Sequence, residues 1–248
     1  MTLLMQSVSG WLNAGWSYLY PEVCQLCGKE RATPAEGFVC GGCRAKVRFI
    51  EPPFCERCGM PYEGAITTRI EECANCCESE LHFRSARSAV VARDRVRDAI
   101  LRYKYNRALW FEPFLGQLLV GRAQPELAKE PWNWIVPIPL HPAKERQREF
   151  NQAERLARRL SAATRIPVNH RLIKRTVATR TQTQLSREER VANMKNAFAL
   201  PKGARLNGER IVLVDDVFTT GATTSACAKA LRAAGAGEVC VWTVARGI

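Results

Sequence analysis

Beyond residue 82 the chain alternates short apolar runs with longer stretches whose apolar positions recur at helical spacing. SAVVA at 88–92 reads as a strand, and DAILRYKYNRALWFEPFLGQLLVGRA at 98–123 supplies two apolar-striped helical stretches around a basic turn. WIVPIPL at 134–140 is nearly continuous in apolar residues, as in a strand covered on both faces, with its prolines where the chain leaves the sheet. Asn151 and Glu154 have capping-box spacing, and Ala153, Leu156, Ala157 and Leu160 continue as an apolar stripe, so a helix is expected there. IPVN at 166–169 and RLIKR at 171–175 read as further strand, and Ser186 with Glu189 repeats the capping pattern before a helix through about residue 196. KRTVATRTQTQL at 174–185 is basic, rich in threonine and glutamine and free of glycine and proline, which reads as a mobile loop. Residues 211–214 form the most apolar strand, residues 223–234 a helix that Gly235 terminates, and residues 239–244 a last strand. This alternation predicts an α/β domain built on a mostly parallel sheet, with ligands bound beyond the carboxyl ends of its strands.

Before residue 82 the pattern is different. Leu4, Val8, Trp11, Leu12, Trp16 and Leu19 fall near helical spacing, which suits a helix docked on the body better than one on a membrane, because residues 1–20 carry no basic face. The lack of a basic n-region argues against a secretory signal, and no apolar run reaches the roughly 18 residues a membrane span needs, so a cytoplasmic protein is expected. Nine of the eleven cysteines lie between residues 24 and 77, and eight of them form the pairs Cys24/Cys27, Cys40/Cys43, Cys55/Cys58 and Cys73/Cys76. Two C-x-x-C turns complete the tetrahedral thiolate shell that Zn²⁺ favours, so eight ligands make two structural sites. With 12 residues between the first two pairs and 14 between the next two, sequential sites are favoured, and an interleaved arrangement stays open. Cys77 either replaces Cys76 as a ligand or remains a free thiol. The resulting organisation is an N-terminal amphipathic segment at 1–20, a cysteine-rich module at 21–80 and the α/β domain at 81–248.

Charge narrows the partners. Lys and Arg number 37 against 24 Asp and Glu, and a net charge of +13 favours a polyanion or a phosphorylated small molecule. The segment IVLVDDVFTTGATTSAC at 211–227 joins strand, loop and helix. Backbone amides around Thr219, Thr220, Gly221, Ala222 and Thr223 fall at a helix N-terminus, where exposed N–H groups and the helix dipole favour a phosphate, and Gly221 permits close approach. Asp215 and Asp216 would repel that phosphate, so they are expected to face another part of the ligand, such as vicinal ribose hydroxyls. The glycine and lysine spacing of a Walker-type loop is absent. His82, His141 and His170 read as structural or surface groups, and Tyr103, Tyr105, Trp110 and Phe150 as core or rim.

IVLVDDVFTTGATT resembles the phosphoribosyl-pyrophosphate (PRPP) motif of type I phosphoribosyltransferases. VPIPLHPAKERQREFNQAERLA, KRTVATRTQTQLSREERVANMKNAF and AGAGEVCVWTVAR resemble the ComF and GntX branch, which also carries a double zinc ribbon in front, and the resemblance spans about residues 20–246. It implies a phosphoribosyltransferase-type sheet and transfer of ribose 5-phosphate from PRPP to a nitrogen acceptor, releasing pyrophosphate with Mg²⁺. On that resemblance Asp215 and Asp216 hold the ribose as catalytic acids, residues 219–223 cradle the 5-phosphate, and Arg146 and Arg148 clamp pyrophosphate. Lys174, Arg175 and Arg180 fall in the family's mobile loop, and Glu149 stands where the family shows glycine. A second reading, a non-catalytic nucleotide-binding protein whose basic 84–107 surface engages single-stranded DNA in the DNA-uptake machinery, fits the branch's association with competence.

Overall fold

The computed structural model describes residues 22–62, 73–77, 80–176 and 197–248. Four strands, β1 (Ser85–Val91), β2 (Trp134–Pro137), β5 (Arg210–Phe218) and β6 (Glu238–Arg246), form a wholly parallel sheet in the order β1-β6-β5-β2. Two short strands, β3 (Lys174–Arg175) and β4 (Phe198–Ala199), pair antiparallel beside it. The expected strand at 171–175 is therefore cut to two residues, and the one at 166–169 to a single bridge between Val168 and Ile135. The helix after Ser186, most of the basic loop and the N-terminal segment lie outside the described residues.

Side chains alternate across β5 with the period of two that a strand imposes. Val212 and Val214 enter one apolar layer with helices α3 (Asp94–Tyr105), α4 (Glu112–Leu127) and α6 (Gln152–Thr164). Ile211 and Leu213 enter the other with α7 (Ala222–Ala233), which ends in a left-handed Gly235 as expected. Asn151 caps α6 by accepting from the Ala153 N–H, whereas Glu154 pairs with Arg158 one turn on. A helix at the cleft's edge departs from the sequence reading: α5 (Pro142–Arg148) starts with proline at its first position, where a missing N–H costs nothing.

The cysteine module straddles the sheet's β1 edge. Arg48 and Arg57 carbonyls accept from the Val91 and Ala86 N–H groups, and the Ile50 N–H donates to Ala89, so the module covers groups that an open edge would expose. Its two clusters, each gathered within 4.8 Å, are Cys24/Cys27/Cys40/Cys43 and Cys55/Cys58/Cys73/Cys76, as the sequential pairing requires. Cys77 is exposed and outside the second cluster. Sulfur separations of 3.4–3.7 Å suit the edges of a tetrahedron with metal–sulfur bonds of about 2.3 Å. Short helices α1 (Gly41–Arg44) and α2 (Ala74–Cys77) each carry a ligand pair or its second half. Gly28 and Gly59 follow equivalent turns at positive φ, and a Cβ on Gly59 would stand 2.7 Å from the Ala86 carbonyl oxygen.

The two clusters lie in opposite layers. The first belongs to the core of α3, α4 and α6, the second to the core of α7. Metal analysis of reduced protein is expected to return two zinc ions per chain. Chelation should then melt sheet and module in one transition, since each cluster is part of a layer; a sheet that keeps its original Tm after both ions leave would contradict this packing.

Candidate functional site

β2 ends where Pro137 pairs with Val214, but β5 runs on beside β6 to Phe218. Beyond that step lies a cleft of about 650 Å³ at the carboxyl edge, bounded by α3, α5 and the loop before α7. Asp215 and Asp216 both line it, yet they are part of the strand rather than the loop after it. Strand parity therefore sends their side chains to opposite faces.

Asp216 turns toward the α3 layer, where the Lys104 ammonium stands 2.7 Å from its Oδ1, with the two side chains 18% and 3% exposed. Its Oδ2 is buried without a hydrogen-bond partner among the described residues. Burial works against the Lys104 charge, but the carboxylates of Asp216 and Asp215 outweigh it and hold its pKa above the usual lysine value. Asp215 faces the α7 layer, where Cys227 and Arg175 feel its charge. Burial, then repulsion from Asp216, pushes the Asp215 carboxyl up to about 7. The two acids thus sit back to back, each near a cation from its own layer.

Gly221 caps α7 at φ +86, and a Cβ there would meet the Phe218 ring at 2.6 Å, so both conformation and space require glycine. The first-turn amides of α7 have no carbonyl one turn back, and Thr219, Thr220, Gly221, Ala222 and Thr223 all line the cleft. Six basic residues line it, Arg93, Arg97, Lys104, Lys144, Arg148 and Arg175, against the acids Asp94, Asp215 and Asp216. Burial and the nearby charges of Arg175 and Arg148 push the Lys144 pKa down, so three cations crowd one end.

Arg148 reaches the cleft and stacks on Tyr105, 4.9 Å from its ring centre, whereas Arg146 is exposed and does not line it. Residues four apart share a helix face, so α5 presents Lys144 with Arg148 and turns Arg146 away. The same rule gives the missed signal for Lys104, which continues the buried positions Val96 and Ile100 of α3. Of the loop residues, Arg175 lines the cleft, Lys174 is exposed beside it in β3, and Arg180 lies outside the described residues. Glu149 adopts the left-handed conformation, φ +66, which would suit the glycine that the family resemblance implies there, and its carboxylate pairs with Arg107 rather than lining the cleft. His141 caps α5 through Nδ1, Tyr103 is buried against Phe150, and Tyr105, 58% exposed, forms part of the rim with Leu101.

An unfolded aspartate releases its proton near 3.8, whereas the folded protein holds that of Asp215 to about 7. Between those values the folded state binds more protons, so this group's contribution to stability is greatest below 3.8 and is lost as pH rises through 7. Asp215→Asn, which cannot ionise, is expected to raise Tm by at least about 2 °C at pH 8 and to leave it unchanged near pH 4. An equal gain at both pH values would refute the assignment.

A family model described as a double zinc ribbon domain matches residues 16–79, which include both cysteine clusters; these are structural zinc sites. A purine phosphoribosyltransferase from Pyrococcus horikoshii aligns with 54% of this chain and 83% of its own at 18% identity and a TM-score of 0.36, a distant likeness. DNA utilization protein YhgH of Escherichia coli K12 is 30% identical over 229 residues, covering 91% of this chain and 97% of its own. Competence protein F of Haemophilus influenzae is 31% identical over 218 residues, 86% of this chain and 92% of its own, and at that likeness across module and sheet together the chain belongs to the competence protein F family.

Proposed function

We propose that the cleft binds PRPP and that the protein transfers its ribose 5-phosphate to a nitrogen acceptor. The observation that carries this reading is the pairing of two anion sites in one cleft: the glycine-capped N-terminus of α7, and the crowded cations Lys144, Arg148 and Arg175. A ligand with one phosphate at one end and a pyrophosphate at the other, joined by a ribose, suits that arrangement. The 5-phosphate accepts from the amides and hydroxyls of residues 219–223. Asp215 accepts from the ribose hydroxyls, and Asp216, steadied by Lys104, offers its second oxygen. Mg²⁺ carried by the pyrophosphate group would offset charge there beside Lys144, Arg148 and Arg175.

In the transfer, the acceptor nitrogen forms a bond to ribose C1 while the C1–O bond breaks and its electron pair leaves with pyrophosphate. The acceptor's proton passes to solvent. Positive charge that develops on the ribose is favoured by the Asp215 and Asp216 carboxylates, and the basic end holds the leaving group.

A second reading is favoured by the rim, where exposed Tyr105 and Leu101 stand among Arg97 and Arg148. Aromatic and cationic groups interleaved in this way suit stacked bases and their phosphates, and relatives carry the names competence protein and DNA utilization protein. DNA held there would lose affinity steeply as salt rises.

Calorimetry with Mg²⁺-PRPP separates the site from a bare basic surface. Asp215→Asn is expected to lose about 10- to 100-fold in affinity, as for a hydrogen bond to a charged group, with its fold intact. Asp216→Asn is a poorer probe because it leaves Lys104 buried without its partner. Wild-type affinity in Asp215→Asn would remove the carboxylate from the proposed site.

A further inference from the structure

Arg246, the last residue of β6, is fully buried, and its guanidinium spans two parts of the molecule that the proposed chemistry treats separately. Nη1 donates to the Thr219 carbonyl at 2.5 Å, inside the anion loop. Nη2 reaches Cys58 Sγ of the second cluster at 3.7 Å and Met60 Sδ at 3.9 Å. The guanidinium lies 4.4 Å from the Phe218 ring centre, on the residue against which Gly221 packs.

A buried guanidinium needs a counter-charge. The polar groups that meet it are the Thr219 carbonyl on one side and Cys58 Sγ of the second cluster on the other. Four thiolates around Zn²⁺ keep a net charge of about −2, so the loaded site favours the cation that holds Thr219. Gly247 adds to the same end by donating its N–H to the Phe218 carbonyl at 2.8 Å. Two successive carbonyls before the turn are thereby engaged at the end of β6, which fixes the backbone of the loop whose N–H groups would meet an anion. Ser225 Oγ, in the first turn of α7, accepts from the His82 N–H and donates to the Glu80 carbonyl, a second connection between the exit of the module and the loop. The first cluster is held differently: Arg95 and Arg102 of α3 donate to the Leu26 and Gln25 carbonyls, on the opposite layer.

We infer that Arg246 is a positioning residue that couples the second zinc site to the anion loop, so that zinc at Cys55/Cys58/Cys73/Cys76 and a phosphorylated ligand at residues 219–223 strengthen each other's binding. The ligand half rests on the proposed reading of the loop; the zinc half does not. Coupling of this kind is reciprocal, so each partner must shift the other by the same factor.

The test is a zinc competition titration against a chromogenic chelator, with and without saturating PRPP, alongside PRPP calorimetry. In wild-type protein PRPP is expected to tighten one zinc ion of the two and leave the other unchanged. Arg246→Gln should weaken that same ion by about 10- to 100-fold and lower PRPP affinity, while the first site keeps its metal. Arg246→Lys keeps the charge but not the planar fork, and should retain zinc better than Arg246→Gln while binding PRPP poorly. Should Arg246→Gln fail to fold, the wild-type titration decides alone. Absence of PRPP binding by fully zinc-loaded wild-type protein would defeat the reading of the loop. PRPP binding indifferent to the second zinc ion and to Arg246 would defeat only the coupling.

Discussion

The parity of one strand governs the site. β5 is covered on both faces, and its alternation is fixed four residues earlier, where Val212 and Val214 enter one core and Ile211 and Leu213 the other. When it continues past the end of β2, Asp215 and Asp216 inherit that alternation and cannot share a face. Each must then find its compensation in a different layer, which is why a lysine from α3 approaches one acid and Arg175 of β3 lies near the other. A one-residue shift in register would exchange these environments and bury the acids against apolar side chains. The apolar packing of residues 211–214 thus sets the electrostatics of the residues that follow.

The same two-layer logic explains the cysteine module. A short pair of ribbons has little core of its own, but each four-sulfur cluster takes its place among the buried side chains of one layer. The module also occupies the hydrogen-bonding edge of β1, so it both completes the apolar layers and satisfies strand groups that would otherwise face solvent. Metal binding is consequently part of the stability of the whole described chain rather than of an appendage.

Much of this was legible in the sequence because it rests on local rules. The spacing of the cysteines gave the clusters, the apolar run gave the first part of β5, and Gly235 marked the end of α7. What was not legible depended on tertiary register. The acids were expected beyond the strand, but the hydrogen bonds of β6 carry β5 through them to Phe218. Arg146 and Arg148 are equivalent in composition, and only the helix begun at Pro142 separates them and brings Lys144 to the cleft instead. Lys104 sat in a stretch read as a basic surface, although its helical spacing from Val96 and Ile100 placed it on the buried face. Arg246 gave no signal, since a cation at the end of a last strand is ordinarily solvated.

Two charged groups of the cleft sit where their ionised forms are disfavoured. Asp215 is held in surroundings that disfavour its ionised form, and Lys144 among charges that disfavour its own. Neither arrangement lowers the free energy of the fold, and replacing either group by a neutral one of similar shape would relieve it. On the proposed reading, these residues serve a ligand at some expense of stability. A ligand with hydroxyls beside Asp215 and an anionic group beside Lys144 relieves both at once. The placement of Asp215 in one cleft with the α7 N-terminus and the cations Lys144, Arg148 and Arg175 argues, on that reading, for a ligand of mixed polyol and phosphate character more specifically than the net positive charge of the chain, which any polyanion would satisfy.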